Sequence, residues 1–145
     1  MLAHLRFLAL LLAAALAAPV VAQTTGTLAK IRDARAITLG YRTDATPFSF
    51  ADRDGRPAGY TVDLCTRIAQ SIKSALNLPD LRVRWVPVTP DNRIELVRKG
   101  EIDLECGTTT ATLGRQEQVD FSNPTFVDGG GLLVRVDSQV WQLKD

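Results

Sequence analysis

The chain has 145 residues with 17 Lys and Arg against 16 Asp and Glu, one His, two Cys and 46% hydrophobic residues. A formal charge of +1 lacks the basic excess that nucleic acid or an anionic membrane demands of a partner. Two cysteines and one histidine are too few donors for a structural metal site, so neither metal nor cofactor is expected.

The first residues read as a transport signal. Met1 to Arg6 is short and weakly basic, Phe7 to Ala18 is an apolar run, and Val20-Val21-Ala22 supplies small residues at a cleavage site. The apolar run is too short to span a bilayer as a stable helix, which favours a cleaved signal peptide over residues 1–22 against an uncleaved anchor. The mature protein then begins near Gln23, outside the cytoplasm and in the periplasm, and no cysteine follows the run to carry a lipid. Losing Arg6 with that segment leaves 16 basic residues against 16 acidic ones. The 145 residues less 22 leave 123, enough for one domain with its own core.

Residues 28–34 are predicted as a short helix and Ala36 to Tyr41 as a strand. Phe48-Ser49-Phe50 and Pro57 to Tyr60 flank the polar turn Asp52-Arg53-Asp54-Gly55 as a hairpin. Thr61 is expected to cap a helix from Val62 to about Leu76. Its buried stripe would run along Leu64, Ile68 and Ile72, widened by Cys65, Ala69 and Leu76, with Arg67, Gln70, Ser71 and Lys73 outward. Leu81 to Val86 alternates as a strand, and Thr89-Pro90 opens a helix that Gly100 closes. Ile102 to Cys106, Val119 to Phe121 and Leu132 to Val136 are three further expected strands. This order is that of an α/β layered domain with a largely parallel sheet flanked by helices. Cys65 falls on a helix and Cys106 on a strand; in an oxidising compartment a disulfide and two free thiols both fit.

Polar residues cluster where strands end. Arg42 follows the first strand, Arg93 lies in the first turn of the helix after the strand ending near Val88, and Glu105-Cys106-Gly107-Thr108-Thr109-Thr110 leads to Arg115. In open parallel sheets the carboxyl ends of the strands share one edge, and ligands bind there. A guanidinium fork suits a carboxylate, while hydroxyls and carbonyls suit an ammonium, so the combination is fitted to a small anionic amino acid.

The blocks Gly40-Tyr41-Arg42, Pro47-Phe48-Ser49-Phe50, Gly59-Tyr60-Thr61-Val62-Asp63-Leu64, Asn92-Arg93-Ile94, Asp103-Leu104-Glu105-Cys106-Gly107, Arg115-Gln116 and Asp120-Phe121-Ser122 carry a family resemblance. The chain resembles the extracytoplasmic solute-binding proteins of polar amino-acid ABC transporters, within them most the glutamate/aspartate-binding proteins. The resemblance implies a periplasmic-binding-protein-like lobe over residues 23–145, a monomer that delivers its ligand to an inner-membrane permease. It implies that Arg115 clamps the ligand α-carboxylate, that Thr110 and Thr108 receive the α-ammonium, and that Arg42 and Arg93 surround a distal carboxylate. Repulsion between Arg42 and Arg93 would then be relieved only by an anionic ligand. It further implies a second lobe beyond Val140 to Asp145, so this chain by itself is expected to bind weakly or not at all. Receptor sensor modules and a few dehydratases resemble the same lobes. No nucleophile–base pair supports an enzyme, since the single histidine, His4, lies in the signal segment. Arg53, Arg56, Arg82 and Arg98 are expected as solvated surface charges, Phe48, Phe50 and Tyr60 as packing groups, and Asp63 and Asp103 as caps.

Overall fold

The computed structural model describes residues 26–131 and 133–138. The expected signal segment over residues 1–22, the start of the mature chain near Gln23 and the expected crossover at Val140 to Asp145 lie outside the described residues. The chain divides after Thr109 into two compact units.

The first unit holds α1 (Thr27–Ala34), β1 (Ala36–Arg42), β2 (Asp44–Ala45), β3 (Ser49–Ala51), β4 (Pro57–Ala58), α2 (Tyr60–Ala75), β5 (Arg82–Val88), α3 (Arg93–Arg98) and β6 (Leu104–Cys106). β5, β1 and β6 form a parallel sheet in that order, and β2, β3 and β4 a small antiparallel one. The register pairs Leu39 with Trp85 and Leu104, and Gly40 with Val86 and Glu105. β1 occupies the centre, and its burial agrees: Ile37 and Leu39 are 1% and 0% exposed.

Side chains alternate across a strand, so the two faces of this sheet differ. One face carries Ile37, Leu39, Trp85, Leu104 and Cys106, which pack with Ile31 of α1 and with Cys65, Ala69, Ile72 and Leu76 of α2 into the hydrophobic core. Tyr41 extends that face with an edge-to-face contact to Trp85, ring centroids 6.0 Å apart. The opposite face carries Gly40, Arg42, Val88 and Glu105, and α3 packs on the β6 side of the sheet.

Cys65 and Cys106 are joined as a disulfide across 41 residues of sequence, tying α2 to β6. Of the two states open in the sequence, the structure takes the bridged one. The α2 stripe is rotated from expectation. Its fully buried positions are Thr61, Val62, Cys65 and Ala69, whereas Ile68 is 42% exposed, because the helix turns the disulfide cysteine toward β6. Thr61 is also no cap. The helix begins at Tyr60 after Gly59, and the Thr61 hydroxyl sits 2.8 Å from Phe48 O and 2.9 Å from Cys106 O, linking hairpin, helix and β6. Thr89 does cap the turn before α3: its Oγ1 accepts from Asn92 N at 3.3 Å, and Asn92 Oδ1 accepts from Thr89 N at 2.8 Å.

Asp103 is likewise more than a cap. Its carboxylate accepts from Thr38 N and from Lys30 Nζ, both at 2.8 Å, and its side chain is 3% exposed. It thereby joins α1, β1 and the start of β6.

In the second unit, α4 (Leu113–Gln116) is a single turn entered from Thr112, whose carbonyl accepts from Arg115 N and Gln116 N. Val119 to Phe121, expected as a strand, is irregular. So are 133–136, the described part of the strand expected over Leu132 to Val136; Leu132 itself lies outside the described residues. A strand needs a hydrogen-bonded neighbour, and Leu133 and Val136 stand fully exposed.

Candidate functional site

The parallel sheet turns the ends of β1, β5 and β6 to one edge, which brings Arg42, the Thr89–Arg93 turn and Gly107 to Thr109 together. Arg42 is the last residue of β1. Its N–H donates to Ser49 Oγ at 2.9 Å, and Ser49 is completely buried. Its guanidinium holds Asp44, with Nε at 2.9 Å and Nη2 at 2.7 Å from Oδ1. Arg93 opens α3 and is buried, its side chain only 7% exposed.

Between them lies Glu105, the middle residue of β6. Its Oε1 is 3.9 Å from Arg93 Nη1, and its side chain is 13% exposed. Gly107 makes room for it. A Cβ at that position would collide with Glu105 Oε1 and lie 3.2 Å from Arg42 Cγ, so the carboxylate and the Arg42 stem share the space over a bare backbone. Burial pushes the Glu105 carboxyl above the ordinary glutamate range. The Thr109 hydroxyl, the Arg93 guanidinium, the Gly107 amide and the Arg42 guanidinium act in the opposite sense without reversing it. The Thr109 hydroxyl faces this group without a well-aligned hydrogen bond.

This arrangement corrects one expectation. The positive charges of Arg42 and Arg93 are already opposed by carboxylates of the chain itself, Asp44 and Glu105. An anionic ligand is therefore not the sole relief of their repulsion. Glu105 stands in the sequence motif but was not expected in the site. The available signal was a carboxylate inside a short strand, between two core residues, Leu104 and Cys106.

Thr108 follows β6 in the first unit and is exposed. Thr110 and Arg115 belong to the second unit, where Arg115 Nη1 donates to Thr110 O at 3.0 Å. The exposed positions Arg53, Arg56, Arg82 and Arg98 are surface charges as expected. Phe48 and Tyr60 pack edge to face with centroids 6.2 Å apart.

Three parallel strands flanked by helices, with a hairpin beside their carboxyl-end edge, define a periplasmic-binding-protein-like α/β lobe. Solved structures share it. Domain 1 of the arginine-binding protein TmArgBP, in its arginine-bound form, matches with a TM-score of 0.61 at 30% identity, over 72% of this chain and 75% of that domain. An ancestral amino-acid-binding protein described as a precursor of cyclohexadienyl dehydratase matches with a TM-score of 0.60 at 31% identity, over 69% of this chain and 41% of that one.

Residues 37–142 match the bacterial extracellular solute-binding proteins, family 3, and the chain belongs to that family. Among curated relatives, the L-glutamate/L-aspartate-binding protein of Pseudomonas aeruginosa is 44% identical over 93% of this chain and 45% of its own length. The glutamate/aspartate import solute-binding protein of Escherichia coli K12 is 42% identical over 75% of this chain and 36% of its own length. The chain thus spans less than half the length of these relatives. Both are binding proteins by name.

Proposed function

We propose that the protein binds glutamate or aspartate outside the cytoplasm and hands it to an ABC transporter permease. The observation that carries this reading is the pair of arginines, Arg42 and Arg93, brought from two elements to one buried carboxylate at the ligand edge of the sheet. Such a site is already arranged to hold a carboxylate between guanidinium groups. The identity to relatives named for glutamate and aspartate supports the same ligand class.

In this reading Arg42 and Arg93 of the first unit receive the distal carboxylate and Thr108 the α-ammonium. The protein acts as a binding protein rather than an enzyme, as a monomer in the periplasm. A neutral amide in place of the distal acid forfeits a charge-assisted pairing, a loss of about 2–5 kcal/mol. Glutamate should then bind ~30-fold or more tightly than glutamine, at about 1.4 kcal/mol per decade. Titration calorimetry of the purified protein with glutamate, aspartate and glutamine tests this. Arg93→Ala should erase the preference for acid over amide, and a preference left intact would remove Arg93 from the site.

A further inference from the structure

We propose that Glu105 is a specificity-setting residue of this site, which balances the arginines when no ligand is bound and takes up a proton when a ligand carboxylate joins them. The inference rests on the acidic-ligand reading above and assigns a role to a residue outside the expected binding set.

The geometry argues it. Glu105 Oε1 lies 3.9 Å from Arg93 Nη1, and its carboxylate shares the space over Gly107 with the stem of Arg42. A ligand acid seated on the same arginines would be a second carboxylate competing for two guanidinium groups. One of these, Arg42, is already engaged by Asp44 on the other side. Two carboxylates at close range cannot both stay ionised at low cost, and the one in the less polar setting gains the proton.

Glu105 is that one. It is buried from solvent by β1 on one side and α3 above, and burial already favours its neutral form. The charged and polar groups facing it are Arg93 from α3, Arg42 from β1 with Asp44 of β2 behind it, and the Thr109 hydroxyl and Gly107 amide from the segment after β6. All of these except Asp44 favour its charged form. Bringing an anion onto the arginines draws off the support they give Glu105, and a proton from solvent compensates. The neutral carboxyl then offers an O–H to the incoming carboxylate, whereas an amide ligand can donate its NH2 to the ionised carboxylate and needs no proton. Acid and amide ligands are therefore separated by proton linkage as well as by charge.

The test is calorimetric titration of the purified protein with glutamate near pH 6, in two buffers of different ionisation enthalpy. Net proton uptake, at most about 1 per glutamate bound, should appear, and close to none with glutamine. Glu105→Gln should bind glutamate with proton uptake reduced to near zero. Glutamate binding by the native protein without proton uptake would overturn the inference and leave the acidic-ligand reading standing; this measurement needs no variant. Undiminished uptake in Glu105→Gln would also overturn it. Binding of glutamine as tightly as glutamate would instead overturn the acidic-ligand reading, and this inference with it.

Discussion

Arg93 and Glu105 approach to 3.9 Å on the face of the sheet opposite the core, with both side chains almost entirely withdrawn from water. They come from different elements, the first residue of α3 and the middle of β6. The separation exceeds that of a charge-assisted hydrogen bond, so the Coulomb attraction is only partly realised while desolvation is borne in full. The raised proton affinity of Glu105 expresses that imbalance.

Stability should therefore respond to pH through Glu105. Its folded proton affinity exceeds that of an unfolded glutamate, so the folded chain holds more protons across the window between the two. Its contribution is most favourable below the ordinary glutamate range and declines as pH rises through the raised value. Glu105→Gln, which does not titrate, should raise the midpoint of urea unfolding of the ligand-free protein at pH 7–8. The gain should vanish near pH 4. A gain independent of pH, or a loss at neutral pH, would contradict this account.

The disulfide closes a separation of 41 residues. Loop-closure entropy for a chain of that length amounts to about 4 kcal/mol. Replacing Cys65 and Cys106 together by Ala, which avoids burying new hydroxyls in the core, should lower unfolding stability by about 3–4 kcal/mol. Urea unfolding under non-reducing conditions measures this. The native protein treated with reductant should lose a similar amount.

Gly59 has φ +116° at the entry to α2, and a Cβ there would meet Phe48 O at 2.5 Å. Backbone strain and a clash with an immobile carbonyl act together, so Gly59→Ala should cost roughly 2–4 kcal/mol. Gly55 has φ +76° in the hairpin turn with open space around it, and Gly55→Ala should cost only about 1 kcal/mol. Thermal unfolding of the two variants side by side separates the steric contribution from the conformational one.

Much of the fold was legible because it rests on local patterns. The β-branched content of Ala36 to Tyr41, the polar turn at Asp52 to Gly55 and the alternation in Leu81 to Val86 each specify their element through nearby residues, whereas the helix expected to open at Thr89-Pro90 begins only at Arg93. What escaped depends on distant partners. Ile68 fits a helical stripe by spacing, yet the true stripe is set by Cys65 turning toward Cys106, 41 residues away. Val119 to Phe121 has strand-forming residues but forms no strand, since propensity alone supplies no hydrogen-bonding neighbour. Arg42 and Arg93 were visible at strand ends because topology delivers strand ends to one edge. Glu105 was not, because only the register of β6 against β1 shows that it faces away from the core, toward the arginines.

The covalent bridge at Cys106 also fixes that orientation. Were β6 to slide by one position along β1, every side chain on it would exchange faces, driving the acid into the oily interior and the sulfur out beside the guanidinium groups. A bond to α2 forbids the shift. Oxidative maturation of the chain would therefore settle not only how firmly the lobe is held but which charges meet at the strand-end edge.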